Sequence, residues 1–490
     1  MKLILNNISI IKEAQINLNI LFYILYFNND LTRKRFIKMK KSWFEFRQAF
    51  DYGEILTGER GRKLYGDRES SPLKNMKTRY KDASKRKDGK PFISFFTGHR
   101  GSGKSSMLFK LINELIGDFF VVYFDIEHNL DKSKTHLIDL LELIGASIFK
   151  TAKDEGLEPD DENYRELEKS LYSIIYEIKD EKDEKFDIVK MLKNVICFGA
   201  KMLGSELGEN LSKSLLEPLS LNLSIKENIL EKRTLDPKVQ DIINNINLII
   251  ADVQEKAKKP ILLVIDGLDK ISPSLSMRIN PQNPPELDQA GMIFLNSRAL
   301  LGPKCNIIYT IPLFLYQDPL IDEIEAECKI FSLPNIKTYD PKNEKKLYEK
   351  GWEELQEIVR KRLNLLGYLS IEEIFYTDAL DILIKKSGGI LRWFIELIYS
   401  ASLEADNMDI EKINLEAAMR AVDEKTRTIT ARLPLNLLKE LQETRETKLP
   451  SGSLESKELL HARLIVAYGN GSTWFDAHPI TWEAIKGTRK

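Results

Sequence analysis

Gly98-His99-Arg100-Gly101-Ser102-Gly103-Lys104-Ser105 fits the phosphate-cradling pattern G-x-x-x-x-G-K-[ST] at every position. The spacing has a chemical reason. Glycines let the backbone wrap closely around a triphosphate, successive N–H groups point inward, Lys104 reaches the outer phosphates and Ser105 holds Mg²⁺. The expected phosphate-binding set is therefore Gly98, His99, Arg100, Gly101, Ser102, Gly103, Lys104, Ser105 and Ser106. Pro91-Phe92-Ile93-Ser94-Phe95-Phe96-Thr97 before it reads as a short buried strand, and Ser106-Met107-Leu108-Phe109-Lys110-Leu111-Ile112 after it opens a helix with apolar spacing of three and four. Strand, loop and helix come in the order the motif requires.

Pro260-Ile261-Leu262-Leu263-Val264-Ile265-Asp266-Gly267-Leu268-Asp269 is the second informative stretch. A buried apolar strand delivers Asp266 at its carboxyl end, the edge where open α/β sheets bind ligands. In phosphate-loop proteins an acid here holds the magnesium shell and a nearby second acid polarises the attacking water, so Asp266 is the expected Mg²⁺ residue and Asp269 the expected base. Apolar runs at 119–126, 306–312 and 329–334 supply three further strands, bringing the count to five. Thr310, at one strand tip, is placed to sense the terminal phosphate; a buried hydroxyl bonded to backbone is the competing reading.

Between these motifs lies an insertion at 150–255. Residues 136–150 and 154–184 read as helices, 189–207 is apolar and Gly-punctuated, and Leu219, Leu221, Leu223 and Ile225 alternate with polar residues as a half-buried strand does. Upstream of the first strand, 60–90 is rich in Lys and Arg, which reads either as a solvated linker or as an arm touching phosphates or a partner. Residues 18–27 are apolar but too short to span a bilayer, and read as a core or partner-binding segment.

Beyond Pro341 the pattern turns helical. Residues 352–365 are amphipathic, and 380–384 lead into Ser387-Gly388-Gly389-Ile390-Leu391-Arg392, where Arg392 projects from a helix start. Helices at 433–441 and 455–460 precede a hairpin whose arms, 463–468 and 473–478, flank Gly469-Asn470-Gly471, a layout that suggests a winged helix. The expected domains are an N-terminal helical and basic region (1–90), a nucleotide domain with its insertion (91–340), a helical lid (341–412) and a winged-helix-like unit (413–490).

With 490 residues and a formal net charge of −1, the chain does not coat nucleic acid through bulk positive charge. Three separated cysteines and five scattered histidines give neither a disulfide framework nor a zinc site, and a reduced, cytoplasmic setting is the simplest fit.

This order of motifs resembles an AAA+-type ATPase of the signalling (STAND) or initiator (origin-recognition-like) branch, carried most specifically by the phosphate loop and by Asp266-Gly267-Leu268-Asp269. The resemblance implies an α/β fold: a P-loop NTPase parallel sheet of order 5-1-4-3-2, a helical lid and a C-terminal winged helix. It also implies that Arg392 is the lid arginine called sensor two and Thr310 the residue called sensor one, both acting with Lys104 and Asp269 in catalysis. The segment 317–328 is acidic and lacks the arginine that ring-forming members supply there, which suits a slow switch better than a hydrolysing ring. Lys270 stands where the signalling pattern often has another acid.

Three functions stay open at this stage. One is a switch driven by ATP and Mg²⁺, in defence against viruses or in stress signalling, with a protein partner or self-association through the insertion or the winged helix. The second is a DNA-binding initiator or loader. Against it, the expected recognition helix at 453–461 holds two glutamates to one lysine, although the basic 60–90 stretch keeps nucleic acid in play. The third is a scaffold that binds ATP without hydrolysis.

Overall fold

The computed structural model describes residues 42–126 (except 67, 69, 70 and 87), 137–167, 170, 232–271, 273, 293–294, 298–318, 321–341, 343–431, 433–482 (except 471) and 485. The expectations for 18–27, 189–207 and 219–225, and for most of 154–184, lie outside these residues.

Five parallel strands form the central sheet: β1 Ile93–Gly98, β2 Phe120–Asp125, β3 Ile261–Asp266, β4 Asn306–Ile311 and β5 Lys329–Leu333, in the order β2-β3-β4-β1-β5. This is the expected 5-1-4-3-2 order. Every residue of β1, β3 and β4 is buried, which explains why the strands read as continuous apolar runs rather than alternating ones. Alternate side chains still go to opposite faces. Phe96, Val121, Tyr123, Leu262, Val264 and Ile308 pack under the helices Leu73–Ser84 and Lys104–Leu115. Phe95, Val122, Phe124, Leu263, Ile265 and Ile307 pack under the helices Leu137–Asp154 and Lys232–Ala257. The described flanks of the insertion are thus part of the nucleotide domain's own core.

Part of the basic 60–90 stretch is neither linker nor free arm. The helix Leu73–Ser84 buries Met76 and Tyr80 completely, and the Tyr80 hydroxyl donates to Ile307 O (2.7 Å) and lies 2.7 Å from Ser94 Oγ. Burying two such side chains is worth roughly 1.5–3 kcal/mol each, which fixes this helix to the sheet while its lysines stay in water. Lys77 and Lys81, for example, pair with Glu114 and Asp118 of the neighbouring segment. Charge density alone hid an amphipathic core helix.

The lid has its own core, built from the helices Glu349–Leu365, Thr377–Lys386, Leu391–Asn407 and Leu415–Thr430. Ala417, Ala418, Ala421 and Val422 of the last helix pack there, so the lid continues past the expected boundary at 412. The short helix Trp43–Ala49 joins the same core through Phe46 and Ala49, with Phe50 just beyond it, and Trp43 Nε1 donates to Ile410 O at 3.2 Å. After the lid, helices Leu435–Thr447 and Leu454–His461 are followed by the antiparallel hairpin β8 Ile465–Asn470 and β9 Ser472–Ala477. A small antiparallel pair between β5 and the lid, β6 Tyr339–Asp340 and β7 Asn343–Leu347, was not expected from the sequence.

Candidate nucleotide site

Strand β1 ends at Gly98, and the loop turns at once into the helix that begins at Lys104. Gly101 has φ +80° and Gly103 φ +95°, the left-handed region that favours glycine. The Lys104 ammonium is buried and its three donors are all used: Gly98 O at 2.8 Å, His99 O at 2.9 Å and the Asp269 carboxylate at 2.8 Å. To hold an outer phosphate, Lys104 must therefore exchange at least one of these partners. Release from Asp269 at the same time frees a carboxylate.

Asp125 and Asp266 are register neighbours at the ends of β2 and β3, and Asp269 follows on a short 3₁₀ turn; all three are buried. Burial, then Asp125, then Asp269 push the Asp266 carboxyl up to about 6, against the opposing hydrogen bond from Ser105 and the charge of Lys270. Asp266 also accepts from Gly267 N (2.8 Å) and from the Tyr123 hydroxyl (3.3 Å), while Lys270 Nζ stands 3.8 Å from Asp125. A buried cluster of negative charge beside a serine hydroxyl is what a divalent cation relieves. No group of three or more His, Cys, Asp or Glu among the described residues could hold a metal by itself. Ser105 and Asp266 are the residues that could contribute to an ion held mainly by phosphate and water.

The loop opens into a cavity of about 430 Å³. Its walls hold charged and polar groups, Arg100 to Ser106, Asp125, Asp269, Lys270, Arg362 and Arg392 among them, together with apolar ones, Ile55, Leu56 and Leu64 of the N-terminal segment and Ile358, Leu391 and Ile395 of the lid. A cavity with both kinds of wall fits a phosphorylated organic ligand. The N-terminal segment is fastened by Leu56 N, which donates to Ser106 Oγ (3.1 Å), and by Arg68. The buried Arg68 guanidinium donates to Ser102 O in the phosphate loop (2.6 Å) and to Pro334 O beyond β5 (2.5 Å). Nothing in the local sequence marks Arg68, because its partners lie 34 and 266 residues away.

The phosphate loop is bonded outward as well. Arg392 N donates to Gly101 O at 3.0 Å, and a Cβ at Gly101 would sit 2.6 Å from Arg392 Cβ, so the lid helix rests directly on the loop. His99 points away from the cavity. Its Nε2 accepts from Ala467 N in β8 at 2.9 Å, and burial first, then Lys104, Arg463 and His478, push its imidazole down to about 3 against a backbone hydrogen bond with Leu460. Asn335, just beyond β5, donates to Ala467 O through its backbone N (3.1 Å) and its side chain (3.2 Å). Tyr468 donates to Gly388 O (2.8 Å), and His478 Nε2 lies 2.9 Å from Ser387 O in the lid. Arg463, at the root of β8, is pushed down to about 10 by burial and by Arg100 and Arg392. Arg100 of the loop and Arg392 of the lid thus both repel Arg463 of the C-terminal unit.

Of the residues expected from sequence, the structure brings Arg100, Gly101, Ser102, Gly103, Lys104, Ser105, Ser106, Asp269 and Arg392 to the cavity, with Asp266 directly behind through its bond to Ser105. Three go elsewhere. Gly98 underlies the loop, its Cα close enough that a Cβ would be 2.5 Å from Leu333 O. His99 faces the C-terminal hairpin instead of a ligand. Thr310 is fully buried inside the sheet, and its hydroxyl donates to Ile265 O (3.2 Å), the competing reading of that residue. The helix in the recognition position of the winged-helix layout, Leu454–His461, whose charge already argued against DNA, contacts the nucleotide domain: Lys457 stands 3.6 Å from Asp318, and the His461 ring meets Phe314 edge-on.

The sheet order, the loop and the acid-tipped β3 define a P-loop NTPase fold. Residues 80–279 match the family model of the KAP family P-loop domain. No curated protein matches this chain. Among solved structures the chain is similar to the Aeropyrum pernix ORC2 protein in ADPNP–ADP complexes (13% identity, 90% of this chain and 98% of that one, TM-score 0.39). Similar too are the Walker-type ATPase PABY2304 of Pyrococcus abyssi (13%, 89% and 99%, 0.40) and Cdc6p from Pyrobaculum aerophilum (12%, 86% and 95%, 0.35). No helix among the described residues is long and apolar enough to cross a membrane.

Proposed function

We propose that the chain is a nucleotide-driven switch that binds ATP with Mg²⁺ and hydrolyses it slowly. One observation carries the reading: three residues of the phosphate loop are bonded to three different parts of the chain, His99 to the C-terminal hairpin, Gly101 to the lid and Ser102 to the N-terminal segment through Arg68. A ligand that alters the loop therefore acts on all three at once. Phosphates also relieve the repulsion of Arg463 by Arg100 and Arg392, which ties the lid and the C-terminal unit to the phosphate loop.

In this reading the apolar walls, Leu56, Ile358 and Ile395 among them, take the base, and Ser105 and Asp266 would hold Mg²⁺, which would supply positive charge to the phosphate oxygens. Lys104 leaves Asp269 for the outer phosphate. The freed Asp269 carboxylate accepts a proton from the water that attacks the terminal phosphorus, as the bond to the leaving phosphate oxygen breaks. Base and phosphate ligand are thus generated by the same exchange. The role fits signalling, including stress response or defence against viruses, through a protein partner or self-association.

The test is hydrogen exchange at residues 465–477 and 391–395 with ATP–Mg²⁺, with ADP and without nucleotide, for the wild type and Asp269→Asn. A switch gives different protection in the three states, and the variant keeps ATP binding but loses phosphate release. Equal protection in all three sinks the switch. Absence of phosphate release in the wild type leaves the non-hydrolysing scaffold, and equal release by wild type and variant overturns Asp269 as the base. DNA binding through Leu454–His461 would require that helix to leave Asp318 and Phe314 first.

A further inference from the structure

Arg362 lies on the lid helix Glu349–Leu365, one turn after Ile358, and both line the cavity. Its side chain is 3% exposed. Its Nε is buried with no hydrogen-bond partner, and none of its other nitrogens bonds to a described residue. The nearest groups are the Phe50 ring, whose centroid is 6.0 Å from the guanidinium carbon, and the charges of Glu54 and Arg60, which already pair with each other. Burial pushes the guanidinium down to about 10.

A buried N–H of a guanidinium without a partner costs free energy and persists where something else meets it. Arg68, equally buried, meets two carbonyls; Arg362 meets none. The carbonyls of the phosphate loop are already taken by Lys104, Arg68 and Arg392. Arg362 lies instead against the N-terminal segment, near Phe50 and Glu54, and shares the cavity with Tyr52, Leu56, Ile358 and Ile395. A flat heterocycle between Tyr52, Leu56, Ile358 and Ile395 presents ring nitrogens at its edge, and a guanidinium fork donates to such acceptors with fixed geometry.

We propose that Arg362 is the residue that recognises the nucleoside part of the ligand, by donating hydrogen bonds to acceptor atoms of the purine edge. This rests on the nucleotide reading above and adds a specificity-determining residue that neither the loop motif nor β3 contains. Because it touches the base and not the phosphates, its contribution is absent for a ligand that has only phosphates.

The test compares wild type, Arg362→Met and Arg362→Lys for binding of ATP, GTP and inorganic tripolyphosphate, each with Mg²⁺, by calorimetry and competition. Arg362→Met is expected to weaken the preferred purine nucleotide by roughly ten- to a hundred-fold, the value of a charged hydrogen bond, and to leave tripolyphosphate unchanged. Arg362→Lys keeps the charge without the fork and recovers part of the loss. Thermal stability of the Met variant is not reduced, since a buried N–H without a partner has been removed. Equal loss for nucleotide and tripolyphosphate, or no loss for either purine, overturns the assignment while leaving the nucleotide site in place. Wild-type protein that binds neither nucleotide removes both readings.

Discussion

Lowering the pH from 8 to 5 is expected to loosen the C-terminal unit from the loop and lid, because two buried neutral histidines clasp that junction. His99 accepts from Ala467 N and His478 reaches Ser387 O. Both imidazoles are pushed down to about 3. For His99 burial leads, followed by Lys104, Arg463 and His478; for His478 burial leads, opposed by the Ser387 bond and reinforced by Lys425, Arg463 and Lys386. A histidine depressed in the docked state binds its proton more readily when released. The stability it supports is therefore complete above the ordinary value of about 6.5 and is lost as pH falls toward 3. At pH 5 the deficit is about 1.5 units, or about 2 kcal/mol for each histidine and about 4 kcal/mol for the pair. Asp266, raised to about 6, works in the opposite direction, losing its stabilising share as pH rises through that value, so the informative quantity is a difference between variants. Thermal midpoints and hydrogen exchange at residues 465–477 would be followed from pH 8 to 5 for wild type, His99→Gln, His478→Gln and the double variant. Glutamine offers polar atoms without a charge, so each single variant should lose about half of the acid sensitivity. An equal loss between pH 8 and 5 in wild type and double variant would refute the reasoning.

Two further substitutions test the joints around the site. Gly389 has φ +74°, and a Cβ there would lie 1.7 Å from Ile336 O, so Gly389→Ala should cost more than about 2 kcal/mol and lower the thermal midpoint by several degrees; an unchanged midpoint contradicts the packing. Arg68→Met strips two carbonyls of their donor while leaving the motif intact; ATP affinity should fall roughly tenfold or more, and affinity equal to wild type would show that the loop holds its shape without that brace.

The sheet was legible because its signals are local. A strand covered on both faces is a continuous apolar run, the loop spacing is set by phosphate geometry, and Asp266 and Asp269 sit at a strand tip by chain connectivity alone. What stayed hidden depends on distant partners. Arg68 sits in a basic stretch and acquires its role only through Ser102 and Pro334. The loop motif leaves position 99 free, so its histidine could not be read as facing a hairpin 368 residues away. Thr310 stands near a strand tip, but neighbouring strands run past it, and its hydroxyl finds Ile265 O before it can reach any ligand. Charge counting alone favoured a linker where Met76 and Tyr80 anchor a helix.

The inward-facing helix Leu454–His461 carries a thermodynamic consequence for whatever recognises it. Since Asp318 and Phe314 occupy part of its face, an outside molecule competes with the protein's own nucleotide domain, and its apparent affinity scales with the small fraction of time the helix stands clear. Reciprocity then applies. If displacing that helix also draws Ala467 away from His99, capture of the helix and occupancy of the loop are linked by one coupling constant, and each ligand changes the other's binding by the same factor.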